Sequence, residues 1–230
     1  MAKKVAILQS SYIPWKGYFD IVGLVDEFIL YDDVQFTKRD WRNRNRIKTI
    51  NGSAWLTIPV ETKGKYLQLI KDTKVDGQAW REEHWKAISI NYARAPYFGE
   101  HKQTFEAIYM DKTKKLSTIN FQFIEAICRI LGIHTKLSWS MDYEITGDRT
   151  ARLVSLCQQA GASAYLSGPS ARDYIEPQAF KQAGIGLSYI DYSGYPEYNQ
   201  LYPPFEHQVS VIDLIFNEGP NAHTYMKSLG

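Results

Sequence analysis

Cysteine is nearly missing from this chain of 230 residues: there are two, Cys128 and Cys157, each inside an amphipathic helical pattern. That leaves no disulfide framework and no cysteine-ligated metal site, and both thiols read as core residues. Histidine is scarce as well, with five residues at positions 84, 101, 134, 207 and 223. No spacing among them resembles HExxH, so no structural metal is expected. No apolar run approaches the roughly 20 residues that cross a bilayer, so no membrane span is expected. The amino-terminal MAKKVAILQSSYIPW holds a short apolar segment that ends at proline rather than at a small-residue cleavage site, and a cytoplasmic protein is expected. GxGxxG and the P-loop are both absent, which removes the dinucleotide and Walker readings. There is no internal repeat and no low-complexity linker. Net charge is small too, +2 at pH 7, which argues against the extended basic footprint of a nucleic-acid binder. Apolar residues are plentiful at 44%, enough to bury a sizeable core.

Against that near-neutral background one segment stands out. Gln35 to Lys48, QFTKRDWRNRNRIK, crowds six basic side chains around Trp41 with only Asp40 to offset them. Guanidinium forks match phosphate and carboxylate oxygens, lysine adds point charge, and an indole face stacks on a base or sugar ring. Lys38, Trp41, Asn43, Arg44 and Arg46 are therefore candidate binding residues for a phosphate-bearing small molecule. The competing reading is a solvated basic loop. The flanks favour binding, because FILYDDV before the run and AWLTIPV after it are strand-like, and a scaffold-held loop is where binding residues tend to sit. Asp32 and Asp33 close the first of these strands. They suit magnesium carried with a nucleotide, or ion pairs with Arg42, Arg44 and Arg46, and the ion-pair reading is the favoured one.

The pattern predicts an α/β fold of Rossmann-like type, with a mostly parallel sheet. KVAILQ, a helix from GYFDIVGLVDE and the strand EFILYDDV make a β-α-β opening. RIKT and AWLTIPV flank Asn51-Gly52, a hairpin signal that adds an antiparallel element to the sheet, and LQLIKDTKV is a further short strand. Residues 78–132 read as consecutive helices, an inserted lobe. Strands then alternate with helices again through TKLSWS, DRTARLVSLCQQAG, AYLSGP, PQAFKQAG and IGLSYIDY, and VSVIDLIFNEG is a last helix.

Parallel strands joined by helices place ligands at their carboxyl ends. The turn after the first strand supplies Gln9, Tyr12, Trp15, Gly17 and Tyr18, with Gly17 opening a helix whose N-terminus suits phosphate. The competing reading is a structural turn capping the core. A second loop, Tyr165 to Tyr174, supplies Ser167, Gly168, Arg172, Asp173 and Tyr174, or else is a surface turn with an Arg-Asp pair. These loops and the basic run are expected to converge, with Trp15, Arg44 and Arg172 around one concave site. His84 shares a helix face with Trp80 and Ala87, and either faces the cleft as a proton-transfer group or packs; Asp33 and Asp173 are the other catalytic candidates. The late YPEYNQLYPPFEHQ reads as an ordered aromatic loop over a site or a subunit interface.

In this order the residues LQSSYIPWKGYFDIVGLVDEFILYDDVQFTKRDWRNRNRIK, WLTIPV, EEHWKAISINYARAPYF, GASAYLSGPSARDYI and SVIDLIFNEGP resemble the WbqC-like proteins nearly end to end. Ser10-Ser11 departs from the glutamine-proline pair associated with the family's opening. The resemblance implies one WbqC-like domain over residues 1–230 and a context of bacterial surface-polysaccharide and O-antigen synthesis. The reading it supports is a transferase that moves a small aminoacyl or acyl group onto a phosphorylated or nucleotide-linked sugar. An acyl-carrier protein is a candidate partner, and a nucleotide with magnesium the candidate cofactor. The alternatives are a non-catalytic sugar- or nucleotide-binding or assembly protein, and a nucleotidyl-transferring enzyme. The last lacks the histidine-glycine-histidine turn of that chemistry.

Overall fold

The computed structural model describes residues 2–229. The opening is β1 (Lys4–Leu8), α1 (Lys16–Gly23) and β2 (Glu27–Leu30), followed by the hairpin β3 (Arg44–Thr49) and β4 (Gly52–Thr57). Three helices come next without an intervening strand: α2 (Ala79–Tyr92), α3 (Phe98–Met110) and α4 (Leu116–Ile130). Alternation returns with β5 (Lys136–Trp139), α5 (Arg149–Gln159), β6 (Ala164–Ser167), α6 (Pro177–Gln182) and β7 (Gly186–Tyr189), and α7 (Val211–Glu218) follows.

Five strands form one wholly parallel sheet in the order β5-β2-β1-β6-β7. The chain steps outward from β1 through β2 to β5, then returns to the other flank of β1 for β6 and β7, so the order reverses between β1 and β6. Apolar side chains alternate to opposite faces, as the period of a strand requires. Val5 and Ile7 of β1, Ile29 and Tyr165 pack with Leu153 and Leu156 of α5 and Phe180 of α6. Ala6, Phe28, Leu30 and Leu166 belong to the larger core with Phe19 of α1 and Phe123 and Ile124 of α4. Both faces are covered, which is why these strands read as apolar runs.

Two expectations need correction. The hairpin turns at Asn51-Gly52, with Gly52 at φ +102°, but it forms its own two-stranded sheet rather than adding to the main one. An isolated hairpin is marginal in water, and this one is anchored by the buried Ile47 and Leu56 on its inner face. The segment LQLIKDTKV is not a strand. It makes a short 3-10 turn at Ile70–Asp72, closed by Thr73 Oγ1 donating to the Leu69 carbonyl at 2.9 Å. Its backbone is satisfied by single bonds to the loop before it, Ile70 N to Val34 O and Lys71 N to Asp32 O, each at 3.0 Å.

Candidate functional site

The turn between β1 and α1 is held under strain. Ile13 lies at φ +35°, a region that a β-branched side chain seldom occupies, and is fully buried. Its neighbours over-determine it: Asn45 Nδ2 donates to the carbonyls of Tyr12 (3.1 Å) and Ile13 (2.9 Å). Tyr12 N donates to Trp41 O at 3.0 Å and Val211 N to Pro14 O at 2.9 Å. Strain held this way concentrates at functional sites. Trp15 caps α1 with its indole folded over the first turn, where a Cβ on Gly17 would lie 2.4–2.8 Å from the ring atoms. Tyr192, just before the late aromatic loop, and Tyr195, its first residue, meet that indole edge-on at 5.0 and 5.8 Å. Under the same loop, the Lys16 ammonium lies 4.7 and 5.3 Å from the Tyr195 and Tyr198 rings, and burial pulls it down to about 8 against the pull of Asp20 and Asp213.

This turn forms one wall of a cleft at the carboxyl ends of β1 and β6, where the strand order reverses. In open parallel sheets that point is the ligand site. The cleft has two adjoining chambers that share Leu8, Ser11, Tyr18, Arg42 and Tyr174. The first, about 520 Å³, is walled by Trp15, Trp41 and Tyr192, with Asn45, Ser167, Ser170 and Gln208 as polar points. The second, about 740 Å³, adds Gln9, Tyr31, Asp148, Arg149 and Arg152. Arg149 and Arg152 come from the first turn of α5, whose N-cap Asp148 accepts from Ala151 N at 3.2 Å. Arg42 donates to the Gln9 side-chain oxygen, and Arg152 Nε to Gly147 O at 2.9 Å. None of the three cleft arginines takes part in an ion pair among the described residues.

Residues 9–225 match the family model of the WbqC-like proteins. The chain belongs to the WbqC-like protein family. Its similarity to the Mycobacterium tuberculosis protein Rv1507c, described as uncharacterised, is 50% identity over 226 residues, 98% of each chain. No solved structure matches the chain.

In this WbqC-like chain the predicted site residues divide. Gln9, Trp15, Tyr18, Trp41, Ser167, Gly168 and Tyr174 line the cleft. Gly17 lies beneath the Trp15 indole and acts by leaving room for it. Lys38, Asn43 and Arg44 line a separate recess of about 240 Å³. The expected ring of Trp15, Arg44 and Arg172 therefore does not form, and Arg42 stands where Arg44 was expected. Arg172 covers the Tyr189 ring at 4.6 Å, Arg46 donates to Gln208 Oε1 at 2.8 Å, and Asp173 is exposed on the 3-10 turn Pro169–Asp173.

The favoured ion pairing of the two aspartates also gives way. Asp32 is fully buried and accepts from Ser10 N (2.8 Å), Ser10 Oγ (2.7 Å) and Ser117 Oγ, and burial raises its pKa against these bonds. Asp33 pairs with Lys71 and accepts from Ser140 Oγ at 2.8 Å. Neither lines the cleft, so neither is placed to hold magnesium against a nucleotide bound there. Tyr12 and His84 lie behind the cleft wall. Tyr12 Oη is 2.9 Å from His84 Nδ1 and 2.5 Å from Tyr109 Oη, with Trp80 and Phe123 edge-on to its ring. Burial lowers His84 to about 4, with the Thr57 backbone opposing, so the packing alternative describes its surroundings. The nearby Glu82 and Glu83 are exposed.

Sequence reasoning missed Ser11, Asn45, Tyr192, Gln208, Arg149 and Arg152, and read Arg42 only as an ion-pair partner. A signal for the α5 arginines existed: DRTAR follows β5, and the strand-end rule applied to β1 and β6 applies equally there.

Proposed function

We propose that the cleft binds a phosphorylated or nucleotide-linked sugar during bacterial surface-polysaccharide synthesis and that a small aminoacyl or acyl group is transferred to that sugar. The observation that carries the binding half is the convergence of Arg42, Arg149 and Arg152 on one cleft without carboxylate partners among the described residues. In this reading the phosphates lie against these arginines and the first turn of α5, where guanidinium forks and the helix dipole both favour anions. The sugar or base ring lies in the aromatic chamber between Trp15, Trp41 and Tyr192. The pathway context is what the resemblance to the WbqC-like proteins implies.

The cleft-lining residues include no histidine and no cysteine. In this reading transfer proceeds by positioning, and Asp148, which lines the second chamber, serves as the N-cap of α5. The sugar's amine or hydroxyl attacks the acyl carbon of a thioester donor such as an acyl-carrier protein. The carbon–sulfur bond breaks, and the released thiolate takes up the proton lost by the nucleophile. A cytoplasmic setting accords with two buried free thiols.

A thermal-shift screen of nucleotides, nucleotide sugars and acyl thioesters tests binding, since saturating a site at about 100 times its Kd adds about 2.7 kcal/mol. Nucleotide sugars should raise the melting temperature of the wild type and not that of the Arg149→Ala/Arg152→Ala variant. Equal shifts in both proteins, or none in either, would remove the cleft from this role. Incubating a responding sugar with acyl thioester and finding no acylated product by mass spectrometry would leave binding without transfer.

A further inference from the structure

Beyond the mouth of the cleft, Trp55 on the outer face of the β3–β4 hairpin and Trp41 in the turn just before β3 are left half in water, at 47% and 43% exposure. Their ring centroids are 5.5 Å apart with planes tilted by 34°. Arg44 lies 4.2 Å and Arg46 5.5 Å from the Trp55 ring, and Arg46 is also its cross-strand partner. The Nε of each arginine is shielded from solvent yet has no acceptor, and neither guanidinium is in an ion pair among the described residues. Asp40 accepts from Trp41 N at 2.7 Å and Glu206 from Gln208 N at 2.9 Å, and neither acid is in an ion pair among the described residues. The face is continuous with the cleft, because Trp41 lines both and Gln208, which accepts from Arg46, lines the first chamber.

We propose that this hairpin face is a second binding surface, for an acidic oligosaccharide whose sugar rings lie on Trp41 and Trp55 and whose carboxylate or phosphate groups are held by Arg44 and Arg46. This rests on the cleft reading and deepens it: the substrate is longer than one sugar, with its phosphate-bearing end in the cleft and its next rings on the hairpin. Two adjacent indoles offer rigid apolar area for the C–H faces of a sugar, and the guanidiniums beside them supply the complementary charge. A long polynucleotide fits less well. The strands are six residues long, which is about 20 Å, and the whole chain carries a net charge of only +2.

The test is titration of tetragalacturonate, uncharged cellotetraose and a short single-stranded oligodeoxynucleotide, followed by tryptophan fluorescence and saturation-transfer NMR. Tetragalacturonate should bind the wild type more tightly than either competitor. It should weaken about tenfold or more in Trp55→Ala and in Arg44→Ala/Arg46→Ala, with melting temperatures measured to check that both variants fold. It should bind Arg149→Ala/Arg152→Ala as it binds the wild type. If that persists while nucleotide sugars give no thermal shift, the hairpin surface stands and the cleft reading falls. Unchanged affinity in both hairpin variants, tighter binding of the oligonucleotide, or loss of tetragalacturonate only in the α5 variant would overturn the proposal.

Discussion

Taking the His84 imidazole out of water penalises its charged form more than its neutral one, and the ring stays neutral down to about pH 4. An unfolded chain takes up this proton near 6.5, so between 6.5 and 4 the unfolded state binds a proton that the native state refuses. Native stability is therefore full above 6.5 and falls as pH drops, by about 1.4 kcal/mol per unit and about 3 kcal/mol across the window. Urea denaturation of His84→Gln should show a flatter decline over this range than the wild type. Identical slopes would assign the loss to other groups. Gly17 gives a second residue-scale expectation. In Gly17→Ala the new methyl group overlaps the far edge of the Trp15 indole, a side chain that can swing away. The melting temperature should change little while affinity for a responding nucleotide sugar drops. A variant with wild-type affinity would show that Trp15 does not contact the ligand.

At the scale of elements, Asn45 joins the hairpin to the strained turn, and its removal leaves two buried carbonyls without a donor. Asn45→Ala should lose about 1–3 kcal/mol per orphaned carbonyl, read from denaturant midpoints. A loss within error of zero would mean that the left-handed Ile13 is held by the backbone bonds to Trp41 and Val211 alone. Most elements were legible in the sequence, because their signals are local. Asn51-Gly52 marks the hairpin, Asp148 caps α5, and Gly161 at φ +69° follows its end. Placement was harder. Nothing near Ile47 says whether the hairpin joins the main sheet or packs beside it, and Ile70 looks the same in a strand and in a 3-10 turn. The basic run misled for a geometric reason. The run turns at Trp41–Asn43 before β3 begins, so simple alternation does not apply: Arg42 and Asn45 reach the cleft while Asn43 and Arg44 reach the recess.

For the molecule as a whole, stability should fall with acid in two successive pH ranges. Glu27 has no exposed side-chain surface and gathers Lys3, Ser138, Lys136 and Tyr143, tying the segment before β1 to β2, β5 and the residues after it. Burial pushes its pKa up, but these partners prevail and hold it at about 2, below the 4.5 of an unfolded glutamate. Its contribution is complete above 4.5 and disappears as pH falls toward 2, beginning as the His84 window closes. Glu27→Gln should lower the melting temperature near neutrality and remove most of the further loss below 4.5. A variant that keeps the wild-type acid profile there would point to a different carboxylate.

The backbone bonds from Ser210 N to Arg46 O and from Val211 N to Pro14 O also bear on how the protein is made. The cleft draws on Ser11, Arg42, Arg149, Ser167 and Gln208, and its strained turn is pinned by a residue that follows all of them. A ribosome emits these segments in order. The growing chain therefore has the first wall of its cleft before the last, and the strained turn cannot gain its bond from Val211 until that stretch has left the exit tunnel.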